Sequence, residues 1–226
     1  MTLGCLVTSW NYSAFLGEAL ASLDAQTVRP SQVVIVDDAS TDRSAEIAGA
    51  WVADRPWARL VVRPERLGFV VNANRGLLEE FATDWAFILS ADDWIEPEFV
   101  GAHLEAIETV DDRTALVYCT GRYRMTEPGA PVAHLDGSLL ADRPWTPGAI
   151  QAGNYVHGSA AVRLADFRRF GGFAAYSSHE DWMLWRAMDS AGLRGVHIPA
   201  VLLNYRHHGR GHRNFGTDHR REGLRG

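Results

Sequence analysis

Two short apolar runs, Gln32-Val33-Val34-Ile35-Val36 and Trp85-Ala86-Phe87-Ile88-Leu89, each end close to adjacent acids, Asp37-Asp38 and Asp92-Asp93. Runs of this length, β-branched or aromatic and bounded by turn formers, predict strands buried on both faces, as in a parallel sheet covered by helices. In open sheets of that kind ligands bind beyond the carboxyl ends of the strands, so both acid pairs stand where a ligand belongs. Four carboxylates gathered there repel one another unless a divalent cation, or the N–H and hydroxyl groups of a nucleotide, lies between them. The pattern points to an enzyme that handles a nucleotide with a metal.

The flanking sequence supplies the rest of such a sheet. Residues 3–8 predict a first strand and Ser9-Trp10-Asn11-Tyr12 a polar turn; Ser13 is the expected N-cap of a helix whose Leu16, Ala19, Leu20 and Leu23 share a face. Asp42 is expected to cap a second helix over 44–51, with Asp37 structural. A strand at 60–62, a helix at 72–81, a helix opened by Pro97 and running to 107, and a strand at 115–120 continue the alternation. Residues 121–154, with Pro128, Pro131, Pro144 and Pro147, predict loops over an active site. A strand over 157–164, a short helix over 164–170, a helix over 180–191 with Trp182, Trp185 and Met188 inward, and a closing strand over 196–205 complete the reading. One α/β domain is expected, with a nucleotide-binding half (1–120), an acceptor-binding and catalytic half (121–205), and a basic tail or lid (206–226).

A 226-residue chain with 46% hydrophobic residues is long enough to bury a sizeable core. Its net charge of −6 argues against gripping nucleic acid through the phosphates, which needs a basic face. Two cysteines, Cys5 and Cys119, make neither a disulfide framework nor a CxxC metal pattern, which fits a cytoplasmic location. No run approaches the roughly 18 consecutive apolar residues of a membrane span, so any membrane contact is expected to be peripheral. The turn after the first strand lacks GxGxxG, which counts against a nicotinamide-dependent dehydrogenase.

Four motifs, in order, resemble the GT-A fold glycosyltransferases of the large inverting family 2. Val7-Thr8-Ser9-Trp10-Asn11-Tyr12 looks like the family's first-strand signature; Asp37-Asp38-Ala39-Ser40 is similar to its Asp-Asp-Gly-Ser motif, with Ala39 in place of Gly. Leu89-Ser90-Ala91-Asp92-Asp93 resembles the metal-binding Asp-x-Asp element, and Ser178-His179-Glu180-Asp181-Trp182 the Glu-Asp base motif. The resemblance implies a Rossmann-like, mostly parallel sheet flanked by helices in a single domain.

It also implies roles. Thr8, Trp10 and Asn11 frame the base and Asp38 accepts its ring N–H, selecting uracil or thymine; a residue like Trp10 is equally often core. Asn72 and Asn74 lie where the family commonly shows Ala-Arg-Asn, and Asn74 is implied as a nucleotide-binding residue. Asp93 is the expected direct ligand of Mn²⁺ or Mg²⁺, with Asp92 reaching the ribose or a metal-bound water. Asp181 is the expected general base, Glu180 orients the acceptor, and His157-Gly158-Ser159 faces the donor sugar. Tyr205-Arg206-His207-His208 resembles an element in which the His, here His208, reaches the metal and a basic group, here Arg206, the diphosphate. Arg210 and Arg213 are expected to clamp phosphate, whereas His212 and His219 lack the acidic or Cys partners of a zinc site. The expected partners are a UDP- or dTDP-sugar donor, a glycan, glycolipid or small-molecule acceptor, and a second copy of the chain as an open possibility. A noncatalytic sugar-nucleotide or glycan-binding module on the same fold is the alternative.

Overall fold

A computed structural model describes residues 1–126, 133–174 and 179–208. Ser178 and the tail residues Arg210, His212, Arg213 and His219 lie outside the described residues, as do Pro128 and Pro131. The chain runs β1 (Leu3–Ser9), α1 (Leu16–Asp24), β2 (Gln32–Asp37), α2 (Ser44–Val52), β3 (Ala58–Val62), α3 (Phe69–Glu79), β4 (Trp85–Ser90), β5 (Trp94–Ile95) and α4 (Phe99–Thr109). It continues through β6 (Thr114–Met125), β7 (Leu139–Leu140), α5 (Ala149–Ala152), β8 (Ala161–Arg163), α6 (Leu164–Arg169), α7 (Glu180–Ser190) and β9 (Arg194–His207).

Among the described residues one sheet forms, in the order β3-β2-β1-β4-β8-β6-β9-β5, with β7 paired to β6. The long ladders, β3-β2-β1-β4 and β6-β9, are parallel, and only the short strands β5, β7 and β8 run the other way. The mostly parallel sheet is therefore as expected. Side chains alternate across it with a period of two. Leu3, Cys5, Val7, Val33, Ile35, Trp85, Phe87 and Leu89 join the core beneath α1, α2 and α4. Leu6, Val34, Val36, Ala86 and Ile88 join the opposite core, against α3, α6 and α7. A sheet buried on both faces needs such apolar runs, which is why they are continuous in the sequence.

Four local expectations are corrected. Ser13 does not cap α1: that helix starts at Leu16, Tyr12 O accepts from Phe15 and Leu16 N–H, and Ser13 N–H goes to Asp42 instead. The helix expected over 72–81 begins earlier, at Phe69, because Gly68 at φ 83° turns the chain into it. The strand expected over 157–164 shortens to Ala161–Arg163, since residues 157–160 close a turn with Ala160 N–H on His157 O. The loop expected from residue 121 is strand as far as Met125, because pairing of Gly121–Met125 with Leu203–His207 satisfies the backbone despite a glycine- and arginine-containing sequence.

Candidate active site

Because β1, β2 and β4 run the same way, their carboxyl ends deliver Trp10, Asp38 and Asp92-Asp93 to one rim of the sheet. Asp38 is buried, and its carboxylate is divided between two backbone donors, Leu67 N–H to Oδ1 at 2.7 Å and Gly68 N–H to Oδ2 at 2.8 Å. It thus fixes the turn that leads into α3. Asp37 is structural as expected in its bonding: Oδ1 accepts Ser40 N–H at 2.9 Å. Ala39 between them sits at φ 56°, a left-handed conformation that suits glycine. Asp42 is not the N-cap of α2, a place Arg43 takes, but it braces the approach by accepting Ser44 N–H at 2.9 Å. Burial is the largest single influence on its carboxyl and raises it, yet the hydrogen bonds from Ser44 and Ser13 together outweigh it and bring it down to about 2.

Asn11, at φ 55°, holds the first two loops together: its Oδ1 accepts Thr41 N–H at 2.8 Å and its N–H donates to Ser40 Oγ at 2.9 Å. Trp10 is exposed, so the core alternative is set aside, and the Arg66 guanidinium stacks 3.4 Å above its ring centroid. Thr8 is half-buried, and its carbonyl accepts Ala91 N–H.

The end of β9 and the residue after it bring Arg206 and His208 onto the acid pair after β4. His208 Nε2 lies 3.1 Å from Asp92 Oδ2, and the imidazole stacks on Phe15 at 4.6 Å with Tyr12 edge-on at 5.6 Å. Arg206 N–H donates to Asp93 Oδ1 at 2.8 Å, and its Nε to Asp92 O at 2.7 Å. The guanidinium also pairs with Glu18 of α1 and lies between Phe15 (5.0 Å) and Trp94 (4.5 Å). Burial first, then the charge of Asp92, pushes the Asp93 carboxyl well above the usual range, and Arg206 pulls it partly back. Burial likewise keeps the Tyr12 hydroxyl protonated, reinforced by the charges of Asp92 and Asp93 and a hydrogen bond to Asp92.

Asp181 stands in the first turn of α7, beside Glu180. Its Oδ1 accepts Trp182 N–H at 2.6 Å, and Asn154 Nδ2 approaches both oxygens at 3.4 Å. Burial raises its pKa, and these two donors and His179 oppose the rise. The backbone at Gly158 passes close by: a Cβ there would lie 3.6 Å from Asp181 Oδ2. His157 itself is turned away into the interior, with Nε2 3.0 Å from Cys119 O. The Asn74 side chain is engaged within the protein. Both ends of its amide bond the backbone of Phe173, Nδ2 to Phe173 O and Phe173 N to Oδ1, each at 2.8 Å.

Tyr205 was singled out only as part of a motif, and its neighbours show more. Burial and then the charges of Asp93, Asp92, Tyr123 and Asp181 all push its hydroxyl toward the protonated form, so one phenol feels the acid pair and the α7 carboxylate together. Phe15, Glu18, Trp94 and Asn154 escape the sequence reading, and Tyr12 enters it only as the last residue of a motif. The signal for Phe15 and Glu18 is position alone, on either side of the start of α1 and just after the first strand's polar turn.

Among the described residues no three His, Cys, Asp or Glu side chains converge as a ready-made metal cage, and no helix is long and apolar enough to cross a membrane.

Known proteins share this fold and sequence pattern. The model of the glycosyl transferase family 2 matches residues 5–171. EpsH of Bacillus subtilis (strain 168) is 31% identical over 139 residues, 62% of this chain and 39% of EpsH. The glycosyltransferase GlyA of Streptococcus pneumoniae serotype 4 is 30% identical over 95 residues, 42% of this chain and 13% of GlyA. This chain therefore spans well under half the length of either relative. Among solved structures, S. aureus TarS 1-349 in complex with UDP-GlcNAc superposes with a TM-score of 0.73 at 16% identity, covering 94% of this chain and 60% of that one. The mannosyltransferase PcManGT of Pyrobaculum calidifontis, in complex with GDP-Man and Mn²⁺, gives 0.71 at 23% identity, covering 92% and 58%. These structures share the GT-A fold, and the match over 5–171 places the chain in glycosyl transferase family 2.

Proposed function

We propose that the chain is an inverting glycosyltransferase that moves a sugar from a UDP- or dTDP-linked donor to an acceptor hydroxyl, with a divalent cation and Asp181 as general base. The observation that carries it is the meeting of the acid pair after β4 with the end of β9: His208 Nε2 lies 3.1 Å from Asp92 Oδ2, and Arg206 N–H donates to Asp93 Oδ1 at 2.8 Å. Two similar folds hold nucleotide sugars, UDP-GlcNAc in TarS and GDP-Man in PcManGT, which supports a donor of that class.

The donor set suits Mn²⁺ or Mg²⁺. Asp92, Asp93 and His208 would hold the ion with carboxylate and imidazole, and a hard cation of this kind does not require a full protein cage. When bound, it would supply positive charge against the leaving diphosphate. Asp38 accepts the base N–H, Trp10 offers a stacking face, and Arg206 holds the strand end that carries His208. Asp181 takes the acceptor proton as the oxygen attacks the anomeric carbon; enclosure makes it a stronger base than a free aspartate. Glu180 orients the acceptor. The acceptor is a glycan, glycolipid or small molecule, met at the loops of the second half in a cytoplasmic protein that contacts membranes at most peripherally.

The test is a panel of sugar nucleotides with Mn²⁺ or Mg²⁺, scored for free nucleoside diphosphate. Wild type should turn over at least one donor, and Asp181→Asn should bind UDP equally well while turning over roughly 100-fold or more slowly. UDP binding without turnover of any donor would favour the noncatalytic module, and absence of both sinks the proposal.

A further inference from the structure

Asn74 stands on α3, a helix whose entry turn is tied to Asp38 through Leu67 and Gly68 N–H. Six residues, about 9 Å along the axis, separate Gly68 from Asn74. There the side-chain amide imitates one rung of a β-ladder, donating to Phe173 O and accepting from Phe173 N–H. The approach is close enough to dictate the neighbouring residue. Gly172 has φ 77°, and a Cβ on it would fall 2.5 Å from Asn74 Oδ1.

Phe173 carries the contact onward. Its buried ring packs edge-to-face on Phe167 of α6 at 5.0 Å and on Trp185 of α7 at 6.3 Å. Trp185 is four residues after Asp181, one turn along the same helix face. The path from Asn74 to Asp181 thus consists of two hydrogen bonds, one aromatic pair and one helical turn.

We infer that Asn74 is a positioning residue for Asp181, acting through Phe173 and Trp185, and not a contact to the nucleotide. The inference rests on the reading of Asp181 as the base. α3 then spans the cleft's two jobs: one end shapes the pocket for the base of the donor, and its middle sets the carboxylate that receives the acceptor proton. Displacement of a reacting group by about 1 Å costs on the order of 100-fold in rate, while the Asp38 anchor lies at the far end of the helix. Loss of the clamp should therefore appear in turnover and leave donor binding intact.

Three variants separate this from a general loss of structure. Asn74→Ala removes the clamp. Gly172→Ala leaves Asn74 in place and drives a methyl into its Oδ1. Gly171→Ala is the control, because Gly171 has the same φ of 77° but nothing within 4 Å of an added Cβ, so it imposes the backbone strain without the collision. UDP affinity by calorimetry and kcat with a saturating donor are measured for each. Asn74→Ala and Gly172→Ala are expected to lower kcat about 10- to 100-fold with Kd for UDP changed less than about twofold, and Gly171→Ala to retain a kcat near wild type. In the Asn74→Ala background, Gly172→Ala should lower kcat no further than Gly171→Ala does alone, since both lesions break one contact. Wild-type turnover with Asn74→Ala losing UDP affinity and keeping kcat would overturn the inference and return Asn74 to the nucleotide. Equal losses in Gly171→Ala and Gly172→Ala would overturn it by assigning the effect to strain alone. No turnover by wild type with any donor would remove the reading of Asp181 on which it stands.

Discussion

Asp38→Asn tests two functions assigned to one carboxylate. In the folded chain its two oxygens each accept a backbone N–H, at 2.7 and 2.8 Å, from a site that is 6% exposed. Hydrogen bonds to a charged group contribute about 1.5–3 kcal/mol each. Asparagine keeps one acceptor, now neutral, and turns an NH₂ toward the other N–H, leaving a donor against a donor. A loss of about 2–4 kcal/mol follows, and in a domain of this size roughly 2–4 °C in Tm accompanies each kcal/mol, so a drop of about 5–15 °C is expected. The second effect is on selectivity. A carboxylate only accepts, which suits the ring N–H of uracil and opposes the bare ring nitrogen of cytosine; an amide can present its NH₂ to cytosine. The preference for UDP over CDP should therefore fall about 10- to 100-fold, in keeping with the same hydrogen-bond energies. Differential scanning fluorimetry and competition titration read the two effects separately. An unchanged Tm would refute the pinning of the α3 turn, and an unchanged UDP:CDP ratio would refute the contact to the base.

Two further outcomes follow from backbone and burial. Ala39→Gly should raise stability by about 0.5–1 kcal/mol, because relief of the left-handed strain at φ 56° exceeds the entropy that glycine adds to the unfolded chain; a lower denaturation midpoint would contradict this. Burial lowers His103 and His157 from 6.5 to about 4, so both stay neutral in the folded chain while the unfolded chain protonates. Their stabilising contribution is complete above about pH 6.5 and is lost as pH falls toward 4, about 2 kcal/mol for each by pH 5. Urea titrations at pH 7 and pH 5 measure it, and His103→Leu should remove about half of the pH dependence between them; an equal dependence in variant and wild type would refute it.

The first half of the fold was legible because its information is local. Val33–Val36 and Trp85–Leu89 carry burial on both faces in consecutive residues, and the spacing of Leu16, Ala19, Leu20 and Leu23 marks one helix face. The acids at the strand ends were legible for the same reason. What was hidden depends on partners distant in the chain. The strand extension over Gly121–Met125 exists because β9 lies beside it, and the ion pair of Arg206 with Glu18 joins residues 188 positions apart. The bonding of Asn74 is hidden on similar grounds: its partner at Phe173 is a backbone group, which leaves no trace in residue identity.

The common direction of the long strands also divides the molecule into unlike poles. Every acid of the cleft's two pairs gathers at one rim, while at the other Arg163 bonds Asp111 and Asp112 carbonyls and Arg194 bonds Asp111, a knot of surface charge remote from the strands' carboxyl ends. Attachment of the protein to a support through that second pole would leave the cleft open to solution, and substitutions surveyed along the chain should sort by pole, into those read by turnover and those read by melting temperature.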